Sequence, residues 1–198
     1  MNDKNKNDTL KVVFLGEAST GKTCLMNVYD KDVFNEITEN TINCSFISKT
    51  IDISKGKIKL ILWDTIGQEK YYSLTKIFIK DSKLVFLVYD ITDRKSFEKL
   101  DFWYNTIKEV LGDSAVIGFI GNKEDLYTKE EVKEEEIEKY AREKKAPFRY
   151  TSALTPLSFE KFFQEQVEAY IKKTEGIVEN VEGKKLNIKK HNKSKKWC

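Results

Sequence analysis

Short apolar runs alternate with longer stretches of helical periodicity along most of the chain. Leu84–Asp90 and Val116–Gly121 are almost wholly apolar, which is typical of strands covered on both faces of a sheet. Two other runs alternate apolar and polar residues on either side of Lys55-Gly56, and they predict an antiparallel hairpin. The pattern predicts six strands, at 11–15, 46–53, 57–63, 84–90, 116–121 and 148–151.

Helical periodicity fills the intervals between these strands. One helix is predicted to begin at Gly21, a second to cover about 96–111, and a very charged third to cover about 130–145. A last helix carries apolar residues at helical spacing, namely Phe159, Phe162, Phe163, Val167, Tyr170 and Ile171. Strands that alternate with helices predict an α/β fold, with a doubly wound, mostly parallel six-stranded sheet and one antiparallel edge strand.

Charge divides the chain into a body and a tail. The segment 184–196 holds seven lysines and no acidic residue, whereas the net charge of the whole 198-residue chain is only +3. The body is therefore mildly acidic, which argues against general nucleic-acid binding. We expect a flexible N-terminus at 1–9, one domain at 10–174 and a flexible polybasic tail at 175–198.

The cysteines indicate a reducing compartment. Cys24, Cys44 and Cys198 show neither paired nor metal-ligand spacing. Residues 1–9 lack the apolar core of a signal peptide, and no apolar stretch is long enough to span a bilayer. The sequence therefore predicts a cytoplasmic protein whose membrane contact, if it has one, comes from the tail.

A glycine-rich segment follows the first predicted strand. Gly16–Thr23 reads GEASTGKT and fits the pattern G-x-x-x-x-G-K-[ST]. Its glycines allow a tight turn whose N–H groups surround a phosphate, and the following helix adds the partial positive charge of its N-terminus. Lys22 can then reach the β- and γ-phosphates, and the Thr23 hydroxyl can ligate Mg²⁺. This motif predicts a bound nucleotide phosphate but does not choose between ATP and GTP.

A second motif lies at the end of another apolar strand. Gly121–Asp125 reads GNKED, and ligands of open α/β sheets bind at the carboxyl ends of strands. The Asp125 carboxylate can accept two hydrogen bonds from guanine, whereas adenine offers no such pair of donors. Taken alone the pattern is weak, and a polar turn before a charged helix is an equal interpretation.

The order of the motifs resolves this ambiguity. After the phosphate loop come Trp63–Glu69 (WDTIGQE), the GNKED segment and Thr151–Ala153 (TSA). This order resembles the Ras superfamily of small GTPases, and the resemblance covers nearly all of 11–171. Several stretches look like the Rab branch in particular, namely Thr41–Phe46, Trp63–Glu69, Tyr72–Thr75, Leu87–Thr92 and Ser96–Glu98.

The resemblance implies the small G-protein fold, GTP/GDP and Mg²⁺ as ligands, and a role for individual residues. Thr23, Thr41 and Asp64 would hold the metal, and Lys22, Thr41 and Gln68 would carry catalysis, with Gln68 orienting the attacking water. The nucleotide would contact Gly16, Ala18, Ser19, Thr20, Gly21, Lys22, Thr23, Cys24, Phe34, Thr41, Gly67, Asn122, Lys123, Asp125, Ser152, Ala153 and Leu154.

Some positions depart from the pattern of the relatives. Ile66 stands where alanine is usual, directly before Gly67, and the Cβ of Ala18 approaches the region of the attacking water. Other departures are Ser19, Asn43, Lys76 and Leu154.

Since no phosphate or metal ligand is lost, we expect nucleotide binding to be retained and intrinsic hydrolysis to be slow. The alternative is a GTP-locked scaffold that recruits effectors. A P-loop kinase is disfavoured, because Arg94, Arg142 and Arg149 are the only arginines and none lies in a lid-like segment.

The tail carries a candidate lipidation site at Cys198. The lysines before it would supply a second membrane signal beside a single prenyl group, although an unmodified cysteine remains the alternative. The resemblance implies two switch segments, which contain Thr41 and Gly67 and respond to the γ-phosphate. It also implies effectors bound through both switches, an exchange factor and a GTPase-activating protein. It also implies a prenyl transferase and a GDP-dissociation inhibitor if Cys198 is prenylated. We expect a monomer that cycles onto the cytosolic face of an endomembrane and regulates vesicle traffic.

Overall fold

The computed structural model describes residues 9–31, 45–54, 56–65 and 72–190. Its sheet has six strands: β1 Thr9–Leu15, β2 Ser45–Ile53, β3 Gly56–Asp64, β4 Leu84–Asp90, β5 Val116–Asn122 and β6 Phe148–Thr151. Their order is β2-β3-β1-β4-β5-β6. Only β2 and β3 pair antiparallel, and every other pair is parallel. The predicted sheet, with one antiparallel edge strand, is confirmed.

Six helices are described: α1 Lys22–Lys31, α2 Tyr72–Ile79, α3 Arg94–Glu98, α4 Leu100–Leu111, α5 Glu134–Lys144 and α6 Leu157–Lys190. A 3-10 helix, Glu124–Lys129, precedes α5. Among these helices, none is both long and apolar enough to cross a membrane.

Alternate residues of the central strands face two separate cores. In β1, Val12 and Phe14 belong to a cluster with the aromatic residues of α6, whereas Val13 and Leu15 belong to a cluster with Trp103 of α4. Side chains of a strand point to opposite faces in turn, so a strand covered by helices on both sides needs apolar residues throughout. This requirement explains the unbroken apolar runs of the sequence.

Some helix boundaries differ from the prediction. The single helix expected at 96–111 is two helices that meet at Lys99, whose N–H bonds to both Lys95 O and Phe97 O. The very charged helix begins at Glu134 rather than near 130, because a 3-10 helix precedes it and Lys133 is its N-cap, whose N–H donates to Glu136 Oε1 at 3.2 Å. Helix α2 has no counterpart in the prediction.

The last helix extends further than the predicted domain. Its backbone remains helical to Lys190, whereas the sequence analysis ended the domain at residue 174 and expected a flexible tail after it. The division into domain and tail stays a prediction.

Candidate functional site

Several chemically distinct groups meet at the carboxyl edge of the sheet. Gly16 follows β1, Asp64 ends β3, Asn122 ends β5 and Ser152 follows β6. Because the parallel strands all end at this edge, they bring together four segments that are far apart in the sequence.

The phosphate loop has backbone angles that demand glycine at two positions. Gly16 and Gly21 have φ of +145° and +89°, a region that residues with a Cβ rarely adopt. A Cβ on Gly16 would lie 2.0 Å from Val88 O, and one on Gly21 would lie 2.2 Å from Asn122 Nδ2. Ser19 also has a positive φ, of 62°, without being glycine. The loop therefore presses against both β4 and the end of β5.

Lys22 lies at the centre of this loop. Its ammonium group is buried and donates to Gly16 O at 2.9 Å and to Glu17 O at 2.6 Å. Burial lowers the pKa of Lys22 to about 8, while the nearby Asp64 and Glu17 carboxylates act in the opposite direction. An anion bound at the loop would stabilise the charged form of this amine.

Thr23 and Asp64 form the candidate metal site. The Thr23 hydroxyl donates to Asp64 Oδ2 at 2.6 Å, although the two residues lie in different elements. A hydroxyl oxygen and a carboxylate oxygen are donors of the kind that Mg²⁺ prefers, and Asp64 is only 1% exposed. The donor set therefore fits the predicted metal, whose third predicted ligand, Thr41, lies outside the described residues.

Asn122 links the base end of the site to the phosphate loop. Its Nδ2 donates to Thr20 O at 2.9 Å, and its Oδ1 accepts from Thr151 Oγ1 at 3.1 Å. Asn122 and Thr151 are both buried. Asn122 therefore connects the two loops directly, and Thr151, to which the sequence analysis gave no role, supports it.

Asp125 is next to the segment that follows β6. The Ser152 hydroxyl donates to Asp125 Oδ1, and the Leu154 N–H donates to Ser152 Oγ at 3.1 Å. Ala153 is buried beside them, whereas 54% of Leu154 is exposed. The structure therefore brings together four of the residues predicted to contact the nucleotide.

Two contacts at the site involve residues that the sequence analysis did not assign to it. Asp90, the last residue of β4, forms an ion pair with Lys123. Trp103 of α4 donates its indole N–H to Glu17 Oε1 at 3.1 Å. A signal existed for Asp90, since it is a charged residue at the carboxyl end of an apolar strand.

The remaining predicted residues fall into two groups. Within the described residues, Thr20 is buried and donates to Glu17 O at 3.0 Å, Ala18 is half-buried, and Cys24 packs against the core below α1. Lys76, one of the departures, forms an ion pair with Glu109 of α4 at 2.7 Å. The other predicted or departing residues lie outside the described residues, namely Phe34, Thr41, Asn43, Ile66, Gly67, Gln68 and Cys198.

Comparison with known proteins decides the family. A family model described as the Ras family matches residues 11–172, which is most of the chain. The chain belongs to the Ras family. The predictions of a Ras-superfamily small GTPase and of the small G-protein fold are confirmed.

Within the Ras family, the chain is similar to Rab proteins. It is 42% identical over 143 residues to Ras-related protein Rab-21 of Geodia cydonium, covering 72% of this chain and 62% of the relative. It is 37% identical over 155 residues to Rab-21 of Homo sapiens, covering 78% of this chain and 69% of the relative. It is 36% identical over 166 residues to Rab-13 of Bos taurus, covering 84% and 82%.

These relatives support a Rab-like small GTPase in vesicle traffic, and they do not favour the GTP-locked alternative. GTP hydrolysis is the activity of Ras-family members, and GTP and GDP are their ligands. Membership of the family also implies effectors, exchange factors, activating proteins and a GDP-dissociation inhibitor as general types of partner, together with association with membranes.

Proposed function

We propose that the carboxyl edge of the sheet holds Mg²⁺ with GTP or GDP, and that the chain works as a nucleotide-dependent switch on vesicle membranes. One observation carries this proposal. Asn122 links the loop that carries the guanine motif to the loop that carries the phosphate motif, through its 2.9 Å bond to Thr20 O. The base and the phosphates of one nucleotide would therefore be bound by two loops that this hydrogen bond joins.

The base would be chosen by Asp125. Its carboxylate is held by Ser152 and can accept from the two donors of the guanine edge, whereas adenine would leave the charge unpaired. The backbone of Ser152, Ala153 and Leu154 would border the base, and Lys123 would lie along its plane.

The phosphates would be held by Lys22 and by the backbone of the phosphate loop. The Lys22 ammonium lies inside the loop, where it donates to two loop carbonyls, and it would contact the β- and γ-phosphates of a bound nucleotide. Thr23 and Asp64 would hold Mg²⁺, whose contribution is to neutralise charge on the phosphate oxygens during transfer.

The switching elements are assigned by resemblance. Thr41 and the N–H of Gly67 would contact the γ-phosphate, and their release after hydrolysis would change both switch segments. Gln68 would orient the attacking water. Because Ile66 adds three carbons beside Gly67 where relatives have alanine, intrinsic hydrolysis would be slow until an activating protein binds.

An exposed aromatic surface supports effector binding near the switches. Phe46 is 60% exposed, its ring lies 5.3 Å from that of Trp63, and Trp63 lies 5.9 Å from Phe78. Aromatic side chains are enriched where proteins bind one another. We expect Phe46→Ala to weaken effector binding while leaving the dissociation rate of GDP unchanged.

Membrane attachment would come from the tail. A prenyl group on Cys198, together with the lysines of 184–196, would supply the two signals that stable anchoring requires. Mass spectrometry of the C-terminus from the native source tests this point. A free thiol on Cys198 would end the lipidation proposal and leave the GTPase proposal intact.

The central experiment identifies the nucleotide that copurifies with the protein, and then follows a single turnover of loaded GTP. We expect GDP, slow turnover, and a faster rate in Ile66→Ala. A matched Gln68→Leu variant should bind GTP and hardly hydrolyse it. An adenine nucleotide would contradict the role of Asp125, and an equal rate in Ile66→Ala would contradict the explanation of slow hydrolysis.

A further inference from the structure

We propose that Asp90 is a positioning residue for guanine binding, because it holds the Lys123 side chain in place before the nucleotide arrives. This inference rests on the proposed function, since it assigns a further residue to the same site.

The contact joins the ends of two neighbouring strands. Asp90 is the last residue of β4 and pairs in register with Asn122 of β5, directly before Lys123. Asp90 Oδ2 lies 2.5 Å from Lys123 Nζ. The carboxylate side chain is only 8% exposed and that of the lysine 32%, so water screens this pair less than an ion pair on the open surface.

The other oxygen of the carboxylate is also engaged. Asp90 Oδ1 accepts from the Thr92 N–H at 2.8 Å and from Thr92 Oγ1 at 2.7 Å. These two bonds fix the rotation of the carboxylate, and the fixed carboxylate directs Oδ2 toward Lys123. The orientation of the Lys123 side chain is therefore set by a carboxylate that Thr92 itself fixes.

Lys123 has a backbone conformation that makes its orientation critical. Its φ is 66° and its ψ is 36°, in the left-handed region that residues with a Cβ rarely adopt. Such a conformation persists where the surroundings hold it, and the ion pair with Asp90 is one such restraint. Lys123 lies between Asn122 and Asp125, so its φ and ψ set the direction of the segment that carries both residues.

The benefit of this arrangement is a smaller loss of entropy on binding. A free lysine side chain has many rotamers, and ordering it against a ligand opposes binding. Because Asp90 already restricts the rotamers of Lys123, less side-chain entropy is lost when the nucleotide binds. We expect the effect mainly in the rate at which the nucleotide leaves.

The test uses Asp90→Asn in the full chain, because asparagine keeps an acceptor for Thr92 but removes the charge that holds Lys123. We expect dissociation of a fluorescent GDP to become about tenfold faster, as for loss of one charge-assisted hydrogen bond. In a Lys123→Met background the same change should have no further effect, because Asp90 acts through Lys123. Asp93→Asn, at the half-buried N-cap of α3, is the matched control and should leave the rate unchanged.

A second variant keeps the test decisive if Asp90→Asn lowers the unfolding temperature. Thr92→Val removes one of the bonds that orient the carboxylate. It should speed GDP dissociation about threefold, again only when Lys123 is present. The inference would be overturned if the effect of Asp90→Asn or Thr92→Val simply added to that of Lys123→Met, or if neither variant alone changed the rate of GDP dissociation. The proposed function would still stand. Failure of the unaltered protein to bind guanine nucleotides would overturn both.

Discussion

The phosphate end of the site is built mainly from main-chain groups, whereas the base end is built mainly from side chains. At the phosphate end, the main chain does most of the holding: Lys22 bonds to carbonyls, and Gly16 and Gly21 have backbone angles suited to glycine. At the base end, side chains hold other side chains, as in Asn122 with Thr151. A main-chain cradle depends on one contiguous segment, whereas a side-chain network depends on residues brought in from several strands.

The largest expected effect comes from Gly21→Ala, because this substitution damages both ends at once. The new Cβ would lie 2.2 Å from Asn122 Nδ2 at a φ of +89°. Backbone strain together with the displaced amide should weaken GDP binding by about 100-fold or more, measured by equilibrium titration. Gly112→Ala is the control, since it shares a positive φ but its Cβ meets nothing within 4 Å. Equal losses of binding in the two variants would contradict this account.

The next effect, from Thr151→Val, is confined to the base end. Valine has the shape of threonine but cannot donate to Asn122 Oδ1, so a buried acceptor loses this bond. We expect GDP dissociation about tenfold faster. In the control Thr106→Val, a buried hydroxyl that bonds to Phe102 O away from the site is removed, and only stability should fall. A normal dissociation rate in Thr151→Val would mean that Asn122 needs no second support.

Ser19→Gly tests the backbone strain at the phosphate end of the site. Ser19 is exposed and has a φ of 62°, which glycine adopts without a steric cost. We expect the free energy of unfolding to rise by less than about 1 kcal/mol, because relief of strain exceeds the added entropy of the unfolded chain. The control Ser48→Gly, in strand β2, should lower it by about 1 kcal/mol. Chemical denaturation measures both, and the same sign in both variants would refute the strain argument.

The smallest effect is expected from Ser152→Ala, because both partners of its hydroxyl, Asp125 and Leu154, are exposed and water can replace the two lost bonds. GDP dissociation should become only about threefold faster. Ser158→Ala, which removes a bond to Tyr150 O, serves as the control. A change as large as that of Thr151→Val would show that burial of the supported residue, Asn122 or Asp125, does not determine the size of the effect.

The same contrast explains how much of the molecule could be predicted from its sequence. The phosphate loop was predictable because its contiguous glycines, lysine and threonine act through the local backbone. Strands β4 and β5 were predictable because burial on both faces leaves a continuous apolar run. The chemistry of a carboxylate suggested the role of Asp125, and the family resemblance supported it and supplied the role of Asn122.

Contacts between distant residues could not be predicted in this way. The register of β4 with β5 sets the pairing of Asp90 with Lys123, and the bond between Trp103 and Glu17 joins residues 86 positions apart. The division between α3 and α4 was not predicted either, although the contacts beside it are local. Buried Ser96 bonds to the Asp90 and Asp93 carbonyls and holds α3 against β4.

The indole of Trp103 gives the phosphate loop an intrinsic optical signal. Trp103 is 1% exposed and its N–H bonds to Glu17, so its emission should be blue-shifted, resistant to acrylamide quenching and sensitive to any movement of that carboxylate. Trp63 instead lies beneath the exposed ring of Phe46, where a bound protein would change its emission. Replacing one indole at a time with phenylalanine would separate nucleotide exchange from partner docking without an attached dye.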